Sequence, residues 1–275
     1  MSLRDRHQVR IHGDASPPAV VLAHGYGCDQ AMWRHLIPYL EDEYRVVIYD
    51  QAGSGACDPS AYDPERHATL DGYADDLVAI CAEMHLSDVV VVGHSISAMI
   101  GVLAHLRAPD LVAGLVMISP SPRFVDEPPY VGGFSREQVD DVLRALSTDF
   151  DSWARTMAPT FMGRPDRPEL AGELAASLRR TDPATAAAFA RVTFLSDTRD
   201  ELSLVQCPTL VVQAGDDPFA PEAVGEYVHD RIAGSAYAKL DATGHFAHVS
   251  APGETARVIL GFLRPIRSFI ARTRR

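Results

Sequence analysis

The chain has 275 residues, of which 47% are hydrophobic and 23% charged; this composition is typical of a folded globular protein and excludes collagenous, coiled-coil and wholly disordered classes. The length allows one large α/β domain or a domain that carries an insertion. Because a formal net charge of -12 would repel phosphate backbones and anionic lipids, we expect neither nucleic acid nor a membrane surface as a partner.

Short runs that are apolar at nearly every position alternate with longer amphipathic stretches. Such runs are typical of strands that helices cover on both faces. The strand-like runs are 19–23, 45–49, 89–92, 115–118, 209–213 and 237–240. The helical patterns are 70–84, 98–106, 221–232 and 253–262. Strand and helix repeated in this way predict an α/β fold with a doubly wound, mostly parallel sheet.

The alternation stops between residues 122 and 196, where helix-like segments follow one another. Four segments begin at capping signals near Ser135, Asp151, Pro168 and Asp182, since such side chains and prolines favour helix starts. We interpret residues 122–196 as a helical cap. The cap would be inserted into a discontinuous α/β core formed by residues 1–121 and 197–275.

The second and fourth predicted cap helices each carry apolar side chains at spacings that place them on one face. Such a stripe is either ordinary core or, where a cap rests over an active site, the roof of a pocket. We predict that the pocket is lined by Phe134, Trp153, Met157, Phe161, Phe189, Phe219 and Phe246.

A candidate nucleophile follows the strand-like run 89–92. Residues 93–97 read Gly-His-Ser-Ile-Ser and precede a helical pattern. A serine on a sharp strand-to-helix turn is lifted out of the sheet edge and lies beside backbone N–H groups at the helix start. The usual pattern is G-x-S-x-G, and Ser97 stands in place of its last glycine. The strand-turn-helix context predicts that Ser95 is the nucleophile.

A serine nucleophile needs a base and an orienting carboxylate, which in this kind of fold follow in the order serine, acid, histidine. The loop after strand-like run 209–213 offers two adjacent carboxylates, Asp216 and Asp217, and residues 237–240 run into His245. All three positions follow strands, and the carboxyl ends of parallel strands meet at one edge of a sheet. The pattern therefore predicts a catalytic triad, with either aspartate as its acid.

Other residues compete for these roles. His248 is the alternative base, three residues beyond His245. We interpret His24 and His94 as side chains that satisfy local backbone groups, and Cys28 as a small buried hydrophobic residue.

A loop with two glycines, His24-Gly25-Tyr26-Gly27, follows the first strand-like run. A developing oxyanion needs hydrogen-bond donors. The backbone N–H of Ile96, directly after the nucleophile, and that of Tyr26 in this loop are the predicted donors. The alternative interpretation of the loop is an ordinary glycine turn.

Several longer motifs resemble the α/β-hydrolase superfamily, and within it one narrow branch. These motifs span residues 24–33, 69–77, 93–99, 128–134 and 180–183. They are similar to a bacterial hydrolase that relays energy stress to a PAS-domain phosphatase, and to the plant karrikin and strigolactone receptors. The resemblance implies a triad of Ser95, Asp217 and His245, oxyanion donors at Tyr26 and Ile96, and a four-helix cap.

Two departures from this branch concern the pocket and the elbow. Tyr26 stands where these groups usually have phenylalanine, and Ser97 matches the plant receptors better than the bacterial regulator. The resemblance leaves two functions open. The first is an esterase or lactonase acting on a small, mostly apolar molecule; the second is a ligand-responsive signalling protein with slow hydrolysis and a protein partner.

The four cysteines, Cys28, Cys57, Cys81 and Cys207, show no metal-ligand spacing. We therefore expect no disulfide framework, no metal site and no cofactor. No apolar stretch approaches the length of a membrane span or a signal sequence, and we expect a cytoplasmic protein.

Overall fold

The computed structural model describes residues 1–14 and 18–273. Within these residues one sheet contains seven strands. The strands are β1 (Arg10–His12), β2 (Ala19–Ala23), β3 (Arg45–Ile48), β4 (Val89–His94), β5 (Val112–Ile118), β6 (Thr209–Gln213) and β7 (Ala236–Lys239). Their order across the sheet is β1-β3-β2-β4-β5-β6-β7. All neighbours are parallel except β1 and β3, which confirms the predicted doubly wound, mostly parallel sheet.

Strands β2, β4 and β6 are buried at every position because helices cover both faces of the sheet. In β4, Val91 packs in one apolar cluster with Tyr73 and Met99, whereas Val90 packs in a second cluster with Leu263. Successive side chains of a strand point to opposite faces. A run of four valines therefore contributes to both cores.

The helices lie mostly between consecutive strands, as the repeated pattern predicts. They are α1 (Leu3–Arg6), α2 (Ile37–Leu40), α3 (Leu70–Glu83), α4 (Ile96–Arg107), α5 (Arg136–Thr148), α6 (Phe150–Met162), α7 (Pro168–Leu178), α8 (Pro183–Leu195), α9 (Glu222–Arg231), α10 (Ala247–Ser250) and α11 (Pro252–Thr273). None of these helices combines the length and the apolarity needed to cross a bilayer.

Helices α5 to α8 follow one another between β5 and β6, inside the range assigned to the cap. Ser135 and Gln138 form a reciprocal capping box at the start of α5, and the Asp182 side chain accepts the Thr185 N–H at the start of α8. These contacts satisfy backbone N–H groups that a helix start leaves free. The division into cap and core at residues 122 and 196 stays a prediction.

The structure differs from the sequence expectation at element ends and at one edge. Strand β1 was not predicted, because it has three residues and two of them are exposed, so no apolar run marks it. Helix α6 begins at Phe150, and its cap is Asp149, two residues before the predicted capping residue Asp151. In the described part of the chain all four cysteines are free, and no cluster of three or more potential ligands could hold a metal ion.

Candidate active site

Ser95 occupies the sharp turn between β4 and α4. Its backbone has φ 57° and ψ -126°, in the positive-φ region that non-glycine residues adopt only where the surroundings enforce it. Its N–H donates to the Ile118 carbonyl oxygen at 2.8 Å. A Cβ at Gly93 would lie 2.3 Å from the Ser97 carbonyl oxygen. The turn therefore requires glycine at position 93.

Ser97, in place of the usual glycine, connects the turn to the loop that follows β2. Its hydroxyl donates to the His24 carbonyl oxygen at 2.5 Å and accepts from Gln51 Nε2 at 3.1 Å. The side chain is fully buried, and both hydrogen bonds offset the cost of burying a hydroxyl. The motif alone does not reveal this contact, because its partners lie 73 and 46 residues away in the chain.

The structure brings Ser95, His245 and Asp217 into one chain of hydrogen bonds. The distance from His245 Nε2 to Ser95 Oγ is 2.8 Å. On the other side of the ring, Nδ1 lies 2.8 Å from Asp217 Oδ2. All three residues are buried. A base that contacts the nucleophile and is itself oriented by a carboxylate is the arrangement that activates a serine hydroxyl.

Asp217 is held in its orientation by the backbone of its own loop. Its Oδ1 accepts the N–H groups of Phe219 at 2.8 Å and Ala220 at 3.0 Å. Burial by itself would raise the pKa of Asp217, but the neighbouring His245 and these N–H donors hold the pKa below its ordinary value. The carboxylate is therefore the stable form of this side chain.

The structure separates the two candidate acids. The Asp216 side chain is exposed, and its backbone carbonyl accepts the Gly244 N–H at 2.7 Å. That contact holds the loop that carries His245. Asp216 thus positions the loop with its main chain, and the adjacent Asp217 alone of the pair contacts the histidine.

The alternative base, His248, is packed away from the nucleophile. Its ring lies 4.4 Å from the Trp33 ring and 4.5 Å from the His94 ring, measured between centroids. His94 in turn donates from Nε2 to the His245 carbonyl oxygen at 2.9 Å. His94 therefore supports the backbone of the His245 loop, beyond the local role that the sequence suggested.

Because His248 and His94 are buried, we expect the protein to lose stability in mild acid. Burial, and then His245 and His35, lower the pKa of His248 to about 3; burial foremost also lowers the pKa of His94. Unfolded histidine has a pKa of about 6.5, so below that pH the unfolded state binds protons that the native state refuses. Stability present above pH 6.5 is lost toward pH 3, by up to about 1.4 kcal/mol per pH unit for each histidine.

Urea unfolding at pH 7, 6 and 5 measures this loss. His248→Phe keeps an aromatic ring against Trp33. As the pH is lowered, the free energy of unfolding of this variant should fall less steeply than that of the parent protein. His85→Asn changes an exposed histidine and should leave the decline unaltered. An unchanged slope in His248→Phe would contradict the assignment.

The residues that carry the predicted oxyanion donors lie in two segments next to Ser95. Ile96 is the first residue of α4, and Tyr26 lies in the loop directly after β2. The backbone of that loop passes close to the serine, since a Cβ at Gly25 would lie 2.8 Å from His94 Nδ1 and 3.2 Å from Ser95 Cβ. A glycine is required for this approach. The role of the two N–H groups stays a prediction.

Ser95 and His245 open on a small cavity with mostly aromatic walls. Its volume is about 30 Å³, enough for about two water molecules. Of the predicted lining residues, the cavity wall includes Trp153, Phe161, Phe219 and Phe246. It also includes Tyr26, which was predicted only as an oxyanion donor, and His94, Phe124, Thr193 and Phe194, which were not predicted to line it. A larger molecule can enter only if parts of this wall move.

Three predicted lining residues lie elsewhere. Phe134 packs behind the wall against Phe219, with ring centroids 5.3 Å apart. Phe189 stacks on Tyr73 at 4.5 Å, and Met157 lines an outer groove beside α5 and α6. Helical spacing identifies which residues share a face, but it does not tell which of them reach the cavity and which contact the neighbouring helix.

Helix α6 is joined to the loop that carries His245. The His245 N–H donates to the Phe161 carbonyl oxygen at 2.7 Å, and the Thr243 hydroxyl donates to the Gly163 carbonyl oxygen at 2.8 Å. A Cβ at Gly244 would lie 2.4 Å from the Met162 carbonyl oxygen. The two backbones thus approach as closely as glycine permits.

Comparisons with known proteins show which family the fold and the sequence resemble. A family model described as "Alpha/beta hydrolase family" matches residues 20–258. The chain is 40% identical to "Karrikin insensitive 2 receptor IA" of Petunia hybrida over 242 residues, 88% of each chain. It is 36% identical to "Strigolactone esterase D14" of Arabidopsis thaliana, over 86% of this chain and 89% of the relative. A solved hydrolase structure from Oleispira antarctica superposes with a TM-score of 0.92 at 36% identity, covering 95% of this chain and 96% of the other.

Proposed function

We propose that this chain, which belongs to the alpha/beta hydrolase family, is a carboxylic-ester hydrolase that acts on small, mostly apolar esters or lactones. The observation that carries this proposal is the buried hydrogen-bonded chain from Asp217 through His245 to Ser95. That chain ends at a cavity with aromatic walls. Relatives named as esterases, such as "Strigolactone esterase D14", support the same reaction.

The proposed reaction proceeds through an acyl-enzyme. His245 Nε2 removes the Ser95 hydroxyl proton while Oγ attacks the ester carbonyl carbon. The N–H groups of Tyr26 and Ile96 would stabilise the negative charge on the carbonyl oxygen. The protonated His245 then gives its proton to the departing alcohol oxygen. Water, activated by the same imidazole, hydrolyses the acyl-enzyme and restores the serine hydroxyl.

The hydrogen bond between the Asp217 carboxylate and His245 fits these proton transfers. An ionised Asp217 keeps the Nδ1 proton of His245 in place, which leaves Nε2 free to accept a proton from Ser95. The carboxylate also stabilises the imidazolium that forms during the attack. The low pKa of Asp217 is therefore the property that the proposed mechanism needs.

Trapping the acyl-enzyme tests the proposal. The protein is mixed with p-nitrophenyl acetate, quenched in acid within one turnover, and analysed by mass spectrometry of its peptides. We expect one acetyl group on the peptide that contains Ser95, and none in Ser95→Ala. Hydrolysis that proceeds with the label on another residue would contradict the triad.

A second function is favoured by the identity to "Karrikin insensitive 2 receptor IA". In this alternative the chain is a ligand-responsive signalling protein that hydrolyses slowly and recruits a protein partner. The turnover number separates the two: kcat of about 1 to 10³ s⁻¹ on some ester indicates an enzyme. Much slower turnover, together with ligand-dependent capture of one partner protein, indicates the receptor.

Trp153→Ala is expected to change the acyl-chain preference. Trp153 is 9% exposed and therefore mostly buried. It lines both the cavity and the outer groove beside α5 and α6. Its removal should join the two spaces and raise kcat/KM for p-nitrophenyl octanoate relative to acetate by about tenfold or more.

Trp33→Phe is the matched control for this prediction. Trp33 is fully buried in the second apolar cluster, which contains Val90 and Leu263. It does not line the cavity. Its replacement should lower the melting temperature and leave the octanoate-to-acetate ratio unchanged. If Trp153→Ala only lowered the melting temperature, Trp153 would be ordinary core.

A further inference from the structure

Two buried hydroxyl groups in the wall of the cavity have no hydrogen-bond partner within the described residues. They are those of Tyr26 and Thr193. Thr193 is 2% exposed, and the Tyr26 oxygen is fully buried although its residue is only partly so. Each hydroxyl can donate one hydrogen bond and accept others. Two residues of a mostly aromatic cavity that also contains Ser95 and His245 thus carry unused hydrogen-bonding capacity.

The two residues that carry these hydroxyls line the same cavity and belong to segments that pack together. The Tyr26 ring packs edge-on against Phe189 at 5.8 Å and Phe194 at 6.2 Å, measured between centroids. Thr193 lies on the same helix, α8, next to Phe194 and one turn after Phe189. Tyr26 therefore packs against the helix that presents Thr193. The two groups form what we call the hydroxyl wall, defined as Tyr26 and Thr193.

Burying a hydroxyl without a partner costs free energy, and phenylalanine and valine would fill the same volumes without that cost. Tyr44 and Tyr73 also carry buried hydroxyls without partners among the described residues, but neither of them lines the cavity. Only a group that lines a cavity can gain a partner from a molecule that enters it. The hydroxyl wall meets that condition and the core tyrosines do not.

We propose that the natural ligand is an ester or lactone whose mostly apolar body carries a further oxygen atom, and that this oxygen accepts a hydrogen bond from the hydroxyl wall. The inference rests on the proposed function, because it places the ester carbonyl at Ser95. Burial raises the pKa of Tyr26, so its phenol stays protonated and donates. An ether, ketone or second ester oxygen has the acceptor lone pairs that match it.

Matched pairs of p-nitrophenyl esters test this. Methoxyacetate is compared with butyrate, and tetrahydrofuran-3-carboxylate with cyclopentanecarboxylate; in each pair an oxygen replaces one methylene. The measured quantity is the ratio of kcat/KM for the oxygenated ester over that for its hydrocarbon partner. Differences in intrinsic reactivity cancel when this ratio is compared between the parent protein and its variants.

We expect Tyr26→Phe or Thr193→Val to lower the ratio about 3- to 10-fold for at least one pair, the range that a single hydrogen bond gives. Both changes keep the shape of the side chain. Tyr73→Phe, which removes an unpartnered hydroxyl outside the cavity, should leave every ratio unchanged. Ratios that stay constant in both wall variants, with the hydrocarbon esters still hydrolysed through Ser95, would overturn this inference alone. Absence of any Ser95-dependent hydrolysis would overturn the proposed function with it.

Melting temperature without ligand gives a readout that does not depend on activity. Removing an unpartnered buried hydroxyl should raise it by about 2 to 4 °C in Tyr26→Phe and Thr193→Val. Higher stability together with a lower ratio is the combined result that supports a recognition role. A fall in melting temperature in both variants would show that the hydroxyls have structural partners, and would overturn the inference.

Discussion

Replacing Ser95 with alanine is expected to lower kcat/KM for p-nitrophenyl acetate by about 10³-fold or more. The hydroxyl oxygen, 2.8 Å from His245 Nε2, is the only atom of the triad that would bond to substrate carbon. Because triad residues act as a unit, losing the nucleophile removes most of what the other two contribute. Initial rates of p-nitrophenol release on purified protein measure the effect.

Ser119→Ala is the matched control. Ser119 follows β5 at the same edge of the sheet and is fully buried, so its replacement removes a comparable hydroxyl without touching His245. It should keep its activity. Far-ultraviolet circular dichroism and melting temperature establish that both variants fold. A Ser95→Ala protein with undiminished hydrolysis would end the triad assignment.

Asp217→Asn is expected to lower kcat by about 10²- to 10⁴-fold. The amide oxygen can keep the contacts that Oδ1 makes with the Phe219 and Ala220 N–H groups. The NH₂ group then takes the place of Oδ2 and faces His245 Nδ1. Since two donors cannot share one hydrogen bond, the imidazole proton shifts to Nε2, and that nitrogen can no longer accept a proton from serine.

Asp216→Asn makes the same chemical change one residue earlier and should cost little. Its side chain is exposed, and its backbone carbonyl, which accepts from Gly244, is unaltered by the substitution. Measuring kcat for both variants with the same ester compares them directly. The reverse order of effects would show that the acid has been misassigned within the pair.

The sequence predicted the sheet, and the loops that bring Ser95, Asp217 and His245 together, because both depend on local signals. Strand-like runs such as 89–92 are apolar at every position, and they position the loops that follow them. The choice between Asp216 and Asp217 did not follow from the residues alone. Both carboxylates occupy the same loop, and only the turn that buries one side chain and exposes the other separates them.

The cavity wall was the least predictable part of the site. Phe189 and Phe194 lie on one helix, but only Phe194 reaches the cavity, because Tyr73 of another helix stacks on Phe189. Likewise, no local pattern shows that the Ser97 hydroxyl contacts His24. Both facts depend on which distant segments pack together.

The contact between α6 and the His245 loop couples opening of the cavity wall to the alignment of His245. A substrate larger than the 30 Å³ cavity requires the wall to open, and α6 carries two wall residues, Trp153 and Phe161. Displacing α6 breaks the bond from His245 N–H to Phe161 and perturbs the base. An opening of the wall that displaces α6 would therefore oppose the alignment of His245 with Ser95. By reciprocity, any molecule that stabilises the closed conformer also raises the population with an aligned triad.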